Sequence, residues 1–314
     1  GKKAVDFLLG QEAGHRREID FFGGEPLLNF PLICEIVSYA RDKARQRGLE
    51  FDFTLTTNAT LLDEEKFDFL NREEINVILS LDGRPQIQNM MRSYKDGRGS
   101  YDRTVGNILR FLQSRGKENY YIRGTYTRHN LDFSRDIEHF LSLGLDSLSL
   151  EPVVSQGESY SLQTGDLPAL EHEYDRLVDI YLEQKKQGTP FLFYHFALDL
   201  EKGPCLYKRL SGCGAGGDYL AVATDGALYP CHQFVGLDDF YMGNVMLEPP
   251  VLRREGGEKV VASAWQREAC RSCWARYLCG RGCTATAYFL EGALHETSSL
   301  SCALQKIRLE RALY

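Results

Sequence analysis

EIDFFGGEP, residues 18–26, is where the fold is decided. Apolar and polar residues alternate into Gly23-Gly24, which reads as a β-strand ending in a tight turn. A helical pattern follows from about Pro31 to Arg47, with Ile33, Ile36, Val37, Ala40 and Ala44 on one stripe and Gly48 as its stop. The same rhythm repeats. FDFTLTTN (51–58) is a second strand, and Asp63 caps a short helix through Phe67 and Leu70. INVILSLDG (75–83) is a third; after a polar loop, Ser100 caps a helix carrying Val105, Ile108, Leu109 and Leu112. NYYIRGTYT (119–127) is a fourth, followed by a helix around FSRDIEHFLSLG (133–144). DSLSLEPVV (146–154) is a fifth, followed by a long helix within 167–187. Strands alternating with helices specify a parallel α/β sheet with right-handed crossovers.

The strand faces add a functional clue. Parallel strands covered on both sides read as almost wholly apolar. Here Asp52, Thr54 and Thr56 share one face of the second strand, and Asn76, Ser80 and Asp82 one face of the third. Arg123, Thr125 and Thr127 line the fourth, and Ser147, Ser149 and Glu151 the fifth. An uncovered sheet face would also alternate, but each flanking helix needs a face to cover. A partial barrel with a ligand-filled mouth at the strand C-terminal ends accommodates both facts.

The totals narrow the class. The 314 residues are 43% hydrophobic and 26% charged, ordinary globular composition for one large or two medium domains. The net charge is −7 and basic residues form no block, which argues against a nucleic-acid partner. No apolar run approaches the roughly 18 residues of a membrane span, and the N-terminal stretch is not a signal peptide. These features point to the cytoplasm.

From about Gly203 the rhythm stops, giving a division into residues 1–200 and 201–314. Short strands and turns take over, with Asp225-Gly226 as a hairpin turn. Cys34 is alone in the first two hundred residues, whereas Cys205, Cys213, Cys231, Cys270, Cys273, Cys279, Cys283 and Cys302 crowd the last 110. A loop-rich region with little apolar content needs cross-links or metal to fold. Cytosolic redox poise argues against disulfides. Eight thiolates suit two four-cysteine zinc sites or two [4Fe–4S] clusters, and spacing alone separates neither from the other.

The pattern Cys213-x12-Gly226-x4-Cys231, then Cys270-x2-Cys273-x5-Cys279-x3-Cys283, then Cys302 resembles the seven-cysteine signature of the SPASM extension of radical S-adenosylmethionine enzymes. FFGGEPL (21–27) resembles the GGEP motif of their partial (β/α)6 barrel, and the resemblance covers essentially the whole chain. GPC, GCGAG, YPCHQFVG and MGNV look most like maturases that form thioether bonds in six-cysteine SCIFF (ranthipeptide) precursors. The family's C-x3-C-x2-C loop is absent, and Cys34, inside a predicted helix, does not replace it. The resemblance therefore implies that the first barrel strand and its cluster loop lie before Gly1, with the five strands above as the second to sixth. A protein that has lost the chemistry is the alternative.

It further implies S-adenosylmethionine as cofactor, bound by Gly23, Gly24, Glu25 and Pro26 at the ammonium and by Arg123 at the carboxylate. Thr57, Asn58 and Ser80 are placed for the ribose or the carboxylate. Asp82 and Arg92 belong to the cofactor or the peptide channel, and Glu151 is assigned to neither ligand. Cys270, Cys273, Cys279 and Cys302 would hold one auxiliary [4Fe–4S] cluster and Cys213, Cys231 and Cys283 another, nearer the barrel mouth, with Cys205 completing the second or leaving an iron open to substrate sulfur. His232 is a hydrogen-bond donor behind the ligands. A SAM-cleaving cluster upstream would give a 5′-deoxyadenosyl radical that takes a hydrogen from an acceptor residue before sulfur couples to the carbon. The partners so implied are a cysteine-rich precursor peptide and an electron donor such as flavodoxin or ferredoxin. No general base stands out. Two other readings remain: maturation of a sulfatase serine or cysteine, and a zinc-stapled peptide-binding protein without catalysis.

Overall fold

The computed structural model describes residues 1–11, 14–116, 118–198, 212–253 and 255–314, with backbone alone for 251 and 262–266. The chain divides into two compact units, residues 1–126 with 135–151, and residues 127–134 with 152–314.

In the first unit, β1 (Arg16–Phe21), β2 (Glu50–Thr57), β3 (Asn76–Ser80), β4 (Tyr120–Tyr126) and β5 (Ser147–Pro152) are hydrogen-bonded in sequence order. β1 to β4 run parallel, with Asp20 opposite Thr54 and Ser80 opposite Arg123. Between them come α2 (Phe30–Arg47), α3 (Glu64–Arg72), α4 (Pro85–Met91), α5 (Tyr101–Arg115) and α6 (Ser134–Ser142), after an initial α1 (Lys2–Leu9). The α/β class and strand order are those expected of a partial barrel. Phe51, Phe53, Leu55, Val77, Leu79 and Ile122 are buried, while Asp52, Thr54, Thr56 and Ser80 on the other face are half-buried and Arg123 is exposed. The polar alternation thus marks a real face.

Local chemistry sets the helix limits. Asp63 accepts from the Lys66 N–H to cap α3, and Gly48 closes α2 in the left-handed conformation, φ 65°. Two details depart from expectation. Ser100 occupies the cap position of α5, but its hydroxyl makes no capping bond and instead accepts from Gln88. The buried stripe of α5 is Tyr101, Thr104, Val105, Ile108 and Phe111, with Leu109 and Leu112 only half-buried. The stretch read as a polar loop contains α4, which buries Ile87 and Gln88, too few residues to set a visible period. Gly124 is required by a close approach: a Cβ there would lie 2.5 Å from the Leu81 carbonyl oxygen.

The second unit holds α7 (Leu167–Lys186), β6 (Leu192–Phe193) and a small antiparallel sheet ordered β10-β9-β8-β7. Those strands are β7 (Ala221–Val222), β8 (Ala227–Tyr229), β9 (Gly243–Asn244) and β10 (Val251–Leu252), with Gly226 at φ 87° in the expected turn. α8 (Glu255–Gln266), α9 (Arg276–Cys279), α10 (Thr284–Glu291) and α11 (Ser299–Ala312) follow. Arg311 of α11 binds Glu171 and Asp175 of α7 at 3.0 and 2.9 Å. This unit is not poor in apolar contacts, contrary to expectation. Tyr229, Cys231, Phe234, Phe240, Val260 and Ala285 form a buried core, with Phe234 stacked on Phe240 at 4.1 Å. Among the described residues no helix is long and apolar enough to cross a membrane.

Candidate functional site

The C-terminal ends of the parallel strands carry the first group of candidate residues. Gly23, at φ 155°, and Gly24 turn the chain after β1, and a Cβ built on either meets nothing within 4 Å. The backbone there faces open space. Pro26 starts a short 3-10 turn (Pro26–Asn29) that Glu25 caps. Glu25 does more than lend charge. One carboxylate oxygen accepts from the Leu27 N–H at 3.1 Å and the Thr57 hydroxyl at 2.8 Å, and the other from the Asn58 N–H at 2.8 Å. Glu25 therefore braces the turn against the end of β2. Asn58 in turn accepts from the N–H and hydroxyl of Thr60.

Asp82 and Arg92 form a second group. Asp82, 3% exposed, takes two bonds from the Arg92 guanidinium at 2.6 and 3.1 Å and one from the Thr125 N–H at 3.0 Å. Its carboxylate is committed to tying β3 to β4. Ser80 and Arg123 meet in register on the polar face.

Asp20 lies on the same face and was not singled out by sequence. Its signal was the Glu18–Asp20 alternation on β1, the strand whose turn drew attention instead. Water reaches Asp20, yet protein surrounds most of it. That burial, aided by Glu18 and opposed by Arg123, pushes its carboxyl up to about 6 from 3.8. Between those values the folded protein holds a proton that the unfolded chain has released. Stability from this group is therefore lost as pH rises through that window. Asp20→Asn is expected to flatten this part of the pH profile of the urea midpoint; an unchanged profile would show that Asp20 titrates normally.

The thiols lie in the second unit, and Cys205 lies outside the described residues. Burial raises the Cys231 thiol, as do the charges of Cys283 and Cys213, while the N–H groups of Gln233 and Phe234 favour the thiolate. Burial raises Cys279, followed by Cys302 and Cys270, against the N–H groups of Gly282 and Arg281. Burial also raises Cys302, with Cys270 and Cys273 adding to it and Lys306 and Arg267 opposing. The cysteine charges acting on Cys231 are thus those of Cys283 and Cys213, those on Cys279 come from Cys302 and Cys270, and those on Cys302 from Cys270 and Cys273. Cys283 also accepts from the Thr286 N–H at the start of α10. His232 packs by Tyr219. Among the described residues no three His, Cys, Asp or Glu side chains form a closed metal-binding set.

Residues 2–106 match the family described as a 4Fe-4S single cluster domain. The chain is 30% identical over 308 residues to an uncharacterized protein of Archaeoglobus fulgidus, covering 95% of this chain and 70% of that protein. It is 26% identical to the cysteine-type anaerobic sulfatase-maturating enzyme of Clostridium perfringens, covering 89% and 76%. Its fold matches the solved structure of native anSMEcpe with bound AdoMet and Kp18Cys peptide, at TM-score 0.81 and 23% identity, over 99% of this chain and 87% of that one.

The chain is thus similar in sequence to an anaerobic sulfatase-maturating enzyme and shares the fold of a solved structure with bound AdoMet, in line with the resemblance to radical S-adenosylmethionine/SPASM enzymes.

The residues present fit the cofactors that this likeness implies. The open backbone at Gly23 and Gly24 leaves room for a ligand group to approach. Cysteines whose thiolate charges act on one another, with N–H groups aimed at the sulfurs of Cys231, Cys279 and Cys283, are the kind of donors that a cationic metal centre converts to thiolates. A second residue missed by sequence completes the picture. Arg267, 2% exposed, lies among the thiols, and among the described residues its Nε has no hydrogen-bond partner. Nothing in its spacing announces it.

Proposed function

We propose that this protein is a radical S-adenosylmethionine maturase that forms thioether bonds between cysteine sulfur and an acceptor carbon in a cysteine-rich precursor peptide. The observation that carries this reading is the crowd of cysteines in the second unit, where Cys283 and Cys213 act on Cys231 and Cys270 and Cys273 act on Cys302, in a chain that also has an open Gly-Gly turn and Arg123 at a polar strand face. The bound cofactors supply the radical that removes hydrogen from the acceptor carbon and take up the electron released as the carbon–sulfur bond forms.

The protein's own residues position the reactants. Gly23 and Gly24 admit the S-adenosylmethionine ammonium, and the Glu25 brace holds their turn still. Arg123 offers a fork to the carboxylate, and Ser80 beside it offers a hydroxyl. Asn58 sits next to the brace, and Thr57 and Pro26 fix its shape. Asp82, tied to β4 at the Thr125 N–H and paired with Arg92, lines the cofactor site or the peptide channel with it. Cys270, Cys273, Cys279 and Cys302 hold one [4Fe–4S] cluster, and Cys213, Cys231 and Cys283 hold the other, with Cys205 a candidate fourth ligand. Residues 1–200 form the barrel part and 201–314 the cluster part. A low-potential flavodoxin or ferredoxin supplies electrons in the cytoplasm.

The test is anaerobic incubation of the full-length protein with S-adenosylmethionine, reductant and a six-cysteine precursor peptide. Mass spectrometry should show loss of one hydrogen pair and of one alkylatable thiol per crosslink. A precursor that stays unmodified while a sulfatase-derived cysteine or serine peptide is oxidised would transfer the protein to the chemistry of its Clostridium perfringens relative.

A further inference from the structure

A guanidinium without a carboxylate is an unusual thing to bury. Arg267 follows α8 and is 2% exposed. Its Nη1 donates to the Arg281 carbonyl, between Cys279 and Cys283, and its Nη2 to the Leu294 carbonyl at 3.0 Å. Its own carbonyl accepts from the Cys270 N–H at 3.1 Å. A Cβ on Gly282 would lie 3.6 Å from Nη1, so the guanidinium lies against the turn between those two cysteines. Two neutral carbonyls do not balance a buried positive charge. Among the described residues it makes no salt bridge, and Nε–H has no acceptor. Cys270, Cys283, Cys302 and Cys279 are the cysteines whose charge, when ionised, acts on it. Three of these belong to one thiol set and Cys283 belongs to the other.

We infer that Arg267 is a counter-charge shared by the two thiol sets and that its Nε–H donates to cluster sulfur, raising the reduction potential of both auxiliary clusters. The inference rests on reading the thiols as cluster ligands. A cluster wrapped in thiolates carries net negative charge, and reduction adds another. A fixed cation and an N–H···S bond both favour the reduced form. A single residue between the two sets moves both potentials in the same direction. It thereby makes each centre a better acceptor for the electron released by substrate.

The experiment uses full-length, anaerobically reconstituted protein, with iron and acid-labile sulfide assayed beside an EPR-monitored potentiometric titration. Arg267→Gln should keep its iron while both auxiliary potentials fall, each by at least tenfold in the reduction equilibrium, about 59 mV for a one-electron couple. Arg267→Lys keeps the charge without the Nε donor and should fall by less at both centres. A purely structural role for the two carbonyl contacts would leave the potentials of folded, loaded protein unmoved. Unchanged potentials in loaded Arg267→Gln, or a change at one cluster alone, overturn the inference. Should Arg267→Gln lose iron, Arg267→Lys decides by the same criterion. Wild-type protein lacking iron and sulfide would instead remove the cluster reading beneath it.

Discussion

Cys279→Ala should cost the reconstituted protein about four iron atoms, the content of one [4Fe–4S] cluster. The informative comparison is between double replacements. Cys279 feels the charge of Cys302, and Cys231 feels Cys283 and Cys213 instead. Adding Cys302→Ala to Cys279→Ala should therefore remove nothing further, because the same cluster is already gone. Adding Cys231→Ala should roughly double the loss, to about eight iron atoms. Iron and sulfide assays under oxygen-free conditions read this directly. If Cys279→Ala with Cys302→Ala emptied both centres, or if zinc replaced iron throughout, the two-set assignment would be wrong.

Asp136→Ala is the other substitution with a large expected effect, on folding rather than on cofactor. Asp136 is fully buried, and one of its oxygens accepts from both the main-chain N–H and the Nε of Arg84, at 2.9 and 2.8 Å. The Arg84 side chain is 18% exposed. Gly83 is part of the same arrangement, since a Cβ there would lie 2.4 Å from the carboxylate. Removing Asp136 leaves a partly buried guanidinium and an N–H without this acceptor. Deleting one partner of a buried pair typically costs about 3–5 kcal/mol. Urea unfolding followed by far-UV circular dichroism measures the loss as a lower midpoint at unchanged slope. A loss under about 1 kcal/mol, the level of an exposed pair, would mean that Arg84 finds water or another partner easily.

What the sequence disclosed follows from the range of the forces involved. β1 to β5 and α2, α3 and α7 were legible because a strand or helix at a sheet face imposes its period on neighbouring residues. Asp63 and Gly48 were legible because caps act over three or four positions. The turn at Gly23-Gly24 was legible for the same reason. Contacts that join distant segments leave no such trace. Glu25 points to its acceptor role only once the end of β2 is beside it, 32 residues later at Thr57. Phe234, Phe240 and Tyr288 meet across more than fifty residues, so the core of the second unit went unrecognised and its cysteines looked like its whole support. Arg267 was invisible for a related reason: a buried arginine is written in the same letter as an exposed one. The sorting of the thiols into two sets comes from resemblance rather than from spacing.

The Glu25 brace has a consequence for affinity. Three donors from two segments fix the turn that carries Gly23 and Gly24, so its conformational entropy is surrendered when the chain folds. A small molecule arriving there meets a preorganised surface, and little of its interaction free energy is diverted into ordering the receptor.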